Sequence, residues 1–412
     1  MNRRRRTGVL LAAALVAAAS GCSTKAQTGS GSGGGASQGI KGNEITLGVL
    51  TDLTAVFAAL GTDITNAQTL FWEKQNAGAK VCGGKYTVKL NVKDTNYNPQ
   101  QGVQQYAGMK DEILAVQQTI GSPINTALEK SYESDKMVNL PSAWARNLTN
   151  IPGNAVVGAT YDVEMVNVLD YALKEGKISE GAKLGHIYFE GEYGANGLAG
   201  AKHFAAEHGM EVIEAKIKST DTDMSPQITQ FKSAGVKAIL LTVAPTQLSS
   251  AASVASSQGL DVPLIGNNPV FAPGLVKQAA GGSLKKNLIF ASPVPAFDKH
   301  QDLLASYRSK YNVADPTTGV IFGTASAELM RQIIEKACAA TGGTPTRQAM
   351  VDAKNQLSGI DANGLVVPLD YTKGVKKSPS FKSYILQPAD AAGGAKSLTE
   401  EPIQAEGVES VA

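Results

Sequence analysis

Ile45-Thr46-Leu47-Gly48-Val49-Leu50 is a short apolar run that ends in a polar loop, Thr51 to Thr54. A helical pattern follows from about Gly61 to Asn76. An apolar run this short, closed by polar residues and followed by a helix-period segment, predicts a strand feeding a helix. The unit then recurs. Tyr86 to Val92 alternates apolar and polar and reads as a strand, and Asp94 to Pro99 is a loop. Asn98 as cap and Pro99 as first helical residue start the next helix. Ile113 to Ile120 is a further strand, broken by Gly121, and a helix through Leu128 and Tyr132 leads to a fourth, Met137 to Leu140.

The series restarts with strands at Leu184–Phe189, Glu211–Ile217, Val236–Val243, Val262–Ile265 and Asn287–Ala291. Helices are expected between them at Gly197–His208, from Ser225 through Phe231, and at Leu248–Gln258. Strands alternating with helices predict parallel sheets, and two such series predict an α/β chain of two doubly wound lobes. Beyond Pro293, helices are expected at Gln301–Tyr311 and from about Phe322 to Ala340. Leu365–Asp370 and Ser383–Leu386 read as antiparallel strands, and the tail from Ala389, rich in Ala, Gly and Glu, as loose.

Ahead of the first strand lies a different kind of sequence. Arg3 to Arg6 precede an apolar run from Gly8 to Ala19, and small residues follow. That order is the order of a secretory leader. Its 12 apolar residues fall short of the roughly 20 that span a bilayer. Ala19-Ser20-Gly21-Cys22 resembles a bacterial lipobox, with Ala19 where Leu is more usual. The resemblance implies that Cys22 becomes the first residue and carries lipid, and acyl chains contribute about 0.8 kcal/mol per buried CH₂. Ser23 to Lys41, with its run Gly29 to Gly35, reads as a flexible tether of roughly 25 Å reach.

Removing the first 21 of 412 residues leaves 391, and two domains are expected at that length. The net charge of +2 includes Arg3 to Arg6, so the mature chain sits near −2. No sustained basic patch remains, which argues against nucleic acid as a partner. Apart from Cys22 there are two cysteines, Cys82 and Cys338. An exported chain can keep a disulfide, and with no metal-ligand neighbours the choice lies between a bridge and two buried thiols.

The chain lacks the constellations of an enzyme. Of its four histidines, His203 and His208 are five apart and share a helix face poorly. There is no Gly-x-Ser-x-Gly elbow, no Walker sequence and no Gly-x-Gly-x-x-Gly after a strand. Gly194 to Gly200 has the wrong spacing for a dinucleotide turn and reads as a loop leading into a helix. Asp221-Thr222-Asp223-Met224-Ser225 lacks the later Gly and Glu of a calcium loop and reads as a helix cap. No metal and no cofactor are expected. What remains is a set of strand ends followed by polar or aromatic loops, where open α/β sheets bind ligands.

Several segments carry a family likeness. Ile45–Thr54, Asp94–Pro99, Ile120-Gly121, Leu140–Thr149, Gly191-Glu192-Tyr193-Gly194 and Asp361–Asp370 recur in this order. The set resembles the type I solute-binding proteins of ABC importers, the Leu/Ile/Val-binding family, over most of residues 43–387. The resemblance implies two lobes joined by three crossovers, near Val157–Thr160, Ala291–Val294 and Gly359–Gly364. Lobe 1 would hold 43–158 with 293–360, and lobe 2 would hold 159–292 with 361–388, leaving 1–21 as leader, 22–42 as tether and 389–412 as tail. Cys82 and Cys338 would both fall in lobe 1, which fits a bridge.

The resemblance also implies a ligand site in a hinged cleft. The loop after Gly121, offering Ser122, Asn125 and Thr126, matches the one whose hydroxyl holds a ligand carboxylate. Pro141-Ser142-Ala143-Trp144 stands where the family has Thr in the last place, so a hydroxyl is lost and a flat face gained. Tyr193 matches the aromatic that covers the ligand from the second lobe. Thr246 stands near a usual aromatic, and Asn267-Asn268 near the acid that pairs with a ligand ammonium. Phe57 and Phe271 would add rings, and Arg146 is a candidate partner for a ligand acid. An unpaired buried ammonium is costly, so an aromatic acid or amide suits this pocket better than a free α-amino acid. The expected ligand contacts are therefore Phe57, Ser122, Thr126, Ser142, Ala143, Trp144, Tyr193, Thr246 and Asn268.

The expected protein is a monomeric, non-enzymatic, lipid-anchored binding protein. It would capture a small hydrophobic ligand, a branched-chain amino acid or an aromatic acid or amide, and pass it to an ABC permease at the extracytoplasmic membrane face. A ligand-sensing module for a membrane receptor and a secreted hydrolase are the alternatives.

Overall fold

The computed structural model describes residues 38–411. The leader and Cys22 lie outside them. The first sheet holds β1 (Ile40–Lys41), β2 (Glu44–Thr51), β3 (Thr87–Asp94), β4 (Ala115–Ile120) and β5 (Asn139–Ser142). The strand β2 pairs in parallel with β3 along its whole length and with β4 on its other side, and β5 extends the sheet past β4. The connecting helices are α1 (Ala58–Ala77), α2 (Pro99–Met109) and α3 (Ser122–Ser134). Both faces of such a sheet are covered, so its central strands are buried throughout rather than alternating. All six residues of β4 are buried. Its three polar side chains find partners: Gln117 accepts from the Trp72 indole at 3.1 Å, Gln118 donates to the Thr51 hydroxyl at 2.9 Å, and Thr119 donates to the Asn139 side-chain oxygen at 2.8 Å.

The tether reading of 22–42 ends early. Ile40 and Lys41 pair antiparallel with β2, and Ile40 is buried, so chain order begins before Gly42.

The second lobe opens with α4 (Tyr161–Lys174), a helix the periodicity did not predict. It continues through β6 (Lys183–Phe189), α5 (Glu192–Glu207), β7 (Glu211–Ile217), α6 (Ser225–Ala234), β8 (Ala238–Thr242), α7 (Pro245–Ser257), β9 (Leu264–Gly266), α8 (Gly281–Asn287) and β10 (Leu288–Ser292). The helix α5 starts at Glu192 rather than Gly197, so the Gly194–Gly200 stretch is helical. A Cβ on Gly200 would sit 2.3 Å from the Asp162 carbonyl, which shows how closely α5 lies on α4.

The chain then returns to lobe 1 with α9 (Gln301–Tyr311), α10 (Gly319–Ala340) and α11 (Arg347–Lys354). The helices α1 and α10 pack together, with Asp63 buried between them, accepting from the Tyr307 hydroxyl and the Thr317 N–H, both at 2.6 Å. Cys82 and Cys338 are joined as a disulfide with Cα atoms 5.6 Å apart, fastening the loop before β3 to α10.

The last crossover is longer than expected. It contains β11 (Ser358–Ile360) and β12 (Leu369–Asp370), which pair with each other. Leu365–Asp370 therefore does not pair with the later strand, and 370–377 packs on lobe 1: Tyr371 donates to the Val156 carbonyl and the Lys376 N–H to the Thr149 carbonyl. Lobe 2 resumes with β13 (Tyr384–Pro388) against β10, followed by β14 (Ala395–Ser397), giving the order β14-β13-β10-β9-β8-β6-β7. The tail is correspondingly ordered rather than loose. Beyond β14, Ala405 and Val408 are buried, and the Ala405 N–H donates to Asn167 on α4 at 2.9 Å. Among the described residues no helix is long and apolar enough to cross a membrane.

Candidate ligand cleft

The three crossings lie side by side. The Ala159–Ser380 bridge, the Thr160 N–H on the Ser378 hydroxyl and the Val367 N–H on the Pro293 carbonyl tie them together. Gly158 makes the crossing possible. Its φ of 143° is a glycine conformation, and a Cβ there would sit 2.7 Å from Pro293 and 2.8 Å from the Trp144 indole nitrogen.

Each wall of the cleft is built from loops at strand carboxyl ends, as the topology requires. On lobe 1 the loop after β2 is folded by Asp52, which is buried and accepts from the N–H groups of Thr54, Ala55 and Phe57. That places the Phe57 ring against Tyr97, 5.1 Å between centroids. Tyr97 and Asn96 have φ near +50°, a strained choice for such residues. The Tyr97 ring lies where a side chain at Gly121 would stand, 2.5 Å from an added Cβ. Ser122 then opens α3, and Ser142, Ala143 and Trp144 follow along the end of β5.

Trp144 is almost fully buried. Its indole donates to the Val157 carbonyl at 2.8 Å, and its ring meets Phe322 at 5.1 Å and Tyr161 at 5.9 Å, all edge-on or tilted. Tyr161 continues the row to Tyr193, with centroids 4.5 Å apart, and Tyr193 donates to the Val243 carbonyl at 3.2 Å. A chain of aromatic rings thus runs from lobe 1 across the first crossover into lobe 2.

Polar groups converge on the same rings. Ser122 faces the Tyr161 hydroxyl. The Ser142 hydroxyl is buried without a protein partner. Glu164, one turn beyond Tyr161 on α4, is fully buried. One of its oxygens accepts the Asn268 N–H at 3.1 Å, and the other has no partner, nor has the Asn267 side-chain oxygen. Burial pushes the Glu164 carboxyl well above the usual range, opposed by the Asn268 hydrogen bond and reinforced by Asp162. Burial likewise raises the Tyr161 and Tyr193 phenols, with Glu164 adding to both. This carboxyl corrects the reading of an acid-free pocket. The loop after β9 carries Asn267-Asn268, but a carboxyl arrives there from α4, over a hundred residues away in the chain.

Other expected residues are placed elsewhere. The Thr126 hydroxyl accepts from Asn147 at 3.0 Å, a bond within lobe 1. Asn125 bridges the Thr119 and Gly121 carbonyls and accepts from Asn139. Thr246 is exposed on the first turn of α7. Phe271 packs on Phe290 of β10. Arg146 pairs with Asp162 at 2.5 Å, and its N–H donates to Asn196 at 3.1 Å, so it latches lobe 1 onto lobe 2. The cleft thus brings together Phe57, Ser122, Ser142, Ala143, Trp144, Tyr193 and Asn268. It adds Tyr97, Tyr161, Glu164 and Phe322, which the sequence reading missed. An acidic pair opening an apolar stretch, Tyr161-Asp162-Val163-Glu164, was a helix-start signal that could have found two of them.

A model of the periplasmic binding protein family matches residues 44–394. A curated relative described as Leu/Ile/Val-binding protein homolog 3, from Brucella melitensis, is 29% identical over 205 residues, covering 48% of this chain and 53% of its own. The chain thus spans about half the length of that relative. Among solved structures, a fatty acid ABC transporter substrate-binding protein from Thermomonospora curvata is 36% identical, with a TM-score of 0.85 over 90% of this chain and 95% of the other. A branched-chain amino acid ABC transporter protein from Thermus thermophilus, with bound valine, is 18% identical with a TM-score of 0.77 over 90% and 99%.

Proposed function

The chain belongs to the periplasmic binding protein family, and from that premise we propose that it is the non-enzymatic substrate-binding component of an ABC importer for an apolar carboxylic acid. The observation that carries the ligand class is Glu164, a buried carboxyl with no cation beside it among the described residues, next to Ser122, Ser142 and the rings of Trp144, Tyr161 and Tyr193. Burial raises its pKa and so favours the neutral, protonated form. A neutral Glu164 can donate a hydrogen bond to a ligand carboxylate, much as the serine hydroxyls can, while the rings take the apolar body. The first turn of α3 behind Ser122 favours an anion there. The fatty acid named for the Thermomonospora curvata protein fits this description.

A branched-chain amino acid is the second reading, and the same residue favours it. A ligand ammonium would let Glu164 ionise and form a buried pair. In either case the lobes close by hinge motion about the three crossings, and the Arg146–Asp162 pair is made only when they meet. The protein works as a monomer at the extracytoplasmic face, held by lipid on Cys22, and hands its ligand to a membrane permease. A receptor-linked sensor would use the same cleft, and a copurifying receptor in place of a permease would reveal it.

The test is calorimetric titration of the purified mature protein with medium-chain fatty acids, aromatic acids and branched-chain amino acids, backed by thermal shift. Bound ligand raises stability by about 2.7 kcal/mol at a hundredfold excess over Kd. Binding of fatty or aromatic acids without amino acids supports the first reading. Binding of amino acids alone overturns it in favour of the second, and silence across the panel refutes both.

A further inference from the structure

The helix α11 ends at Lys354, whose side chain packs inward and is largely buried beside a surface recess. Only 5% of the residue is exposed. Its ammonium lies 5.3 Å from the centroid of the Tyr371 ring, and among the described residues no ion pair involves it. The nearest acid on this recess, Asp370, spends one oxygen on the N–H and hydroxyl of Thr372. Burial lowers the Lys354 pKa to about 8, so the amine is still mostly protonated at neutral pH. Its place in the last turn of a helix, where the backbone dipole is negative, also favours the charged form. The result is a buried positive charge without a counter-charge, which is costly in a protein interior.

The recess beside it is about 20 Å³, lined by Thr149 from lobe 1 and by Asp370, Tyr371, Val375 and Lys377 from the third crossover. That is room for one water-sized or slightly larger body. Two lysines line it against one carboxylate that is already hydrogen-bonded. We propose that this recess binds a single small monatomic anion, chloride in solution, which neutralises Lys354 and fastens the third crossover onto lobe 1. The site lies apart from the ligand cleft and does not depend on which ligand the cleft takes.

The experiment is thermal unfolding of the ligand-free mature protein in sodium chloride and in sodium gluconate at equal ionic strength, with K354M beside it. Chloride is expected to raise Tm by ~2 °C at a tenfold excess over its Kd and then to saturate. The response should be absent in K354M. Crystals of the native protein soaked in bromide should show an anomalous peak beside the Lys354 ammonium. Superimposable chloride and gluconate titrations of the native protein overturn the proposal, as does a bromide-soaked crystal without that peak. A K354M variant that keeps the chloride response overturns it too.

Discussion

Replacing Glu164 by glutamine separates the two ligand readings by magnitude. Glutamine keeps the shape and the oxygen that accepts the Asn268 N–H. It removes only the capacity to carry charge. If the ligand is an amino acid, its ammonium loses a desolvated carboxylate, and truncating one member of such a pair costs about 2–5 kcal/mol. Kd then rises about 30-fold to several thousandfold. If the ligand is an apolar acid, a neutral Glu164 is replaced by a neutral amide that still donates, and Kd changes by only a few fold. Calorimetric titration of both proteins reads the difference directly. The same variant tests the electrostatics without ligand. The folded carboxyl sits above its ordinary 4.5, so above that pH the folded state holds a proton the unfolded state has released. Stability therefore falls as pH rises through this window. His186, driven down to about 3 by burial, has the opposite sign, costing stability as pH falls below 6.5. Lys354, lowered to about 8 by burial, acts with the opposite sign near pH 8, so the comparison is made as a difference: as pH rises above 4.5, E164Q should lose less stability than the native protein. A glutamine variant that is less stable than native at pH 8 would refute a neutral, uncompensated Glu164.

Three further changes test the frame of the cleft. Reducing the Cys82–Cys338 bridge, or changing both residues to serine, opens a loop of 256 residues; chain entropy alone puts the cost near ~5 kcal/mol, read as a lowered midpoint in denaturant. R146M leaves Asp162 with the Thr160 hydroxyl and the Val163 N–H, and because the pair is made only on closure, ligand-free stability should stay within about 0.5 kcal/mol of native. Because the lost pair spans the lobes, ligand dissociation should quicken about tenfold, and an unchanged off-rate would show that the pair is not a latch. W144F leaves the Val157 carbonyl buried without its donor and should cost about 1–3 kcal/mol in urea unfolding.

Much of the architecture was legible because parallel strands buried on both faces leave short apolar runs that polar loops punctuate. Glu211–Ile217 was read to the residue, and most other strands within two. The helix α4 was not legible for a physical reason. Ten of its fourteen residues are buried, among them Asp162, Glu164 and Asn167, so no polar stripe marks a helical period. The tail was misread because Ala, Gly and Glu say little in isolation. Its order comes from contacts such as Ala405 with Asn167, which only the folded lobe supplies.

The same distinction governs the cleft. Residues at strand ends, such as Ser122, Ser142 and Tyr193, could be named through the family resemblance, because each lies at a strand end that the shared topology keeps in place. Glu164 could not, because its place depends on how α4 crosses the end of β9. A position-by-position comparison asks which residue occupies a given place in the chain. A pocket responds to which side chain occupies a given place in space. At Asn268 the two questions have different answers, since the backbone N–H belongs to one segment and the carboxyl to another. The charge at that place is set by this meeting, not by the uncharged Asn267-Asn268 pair.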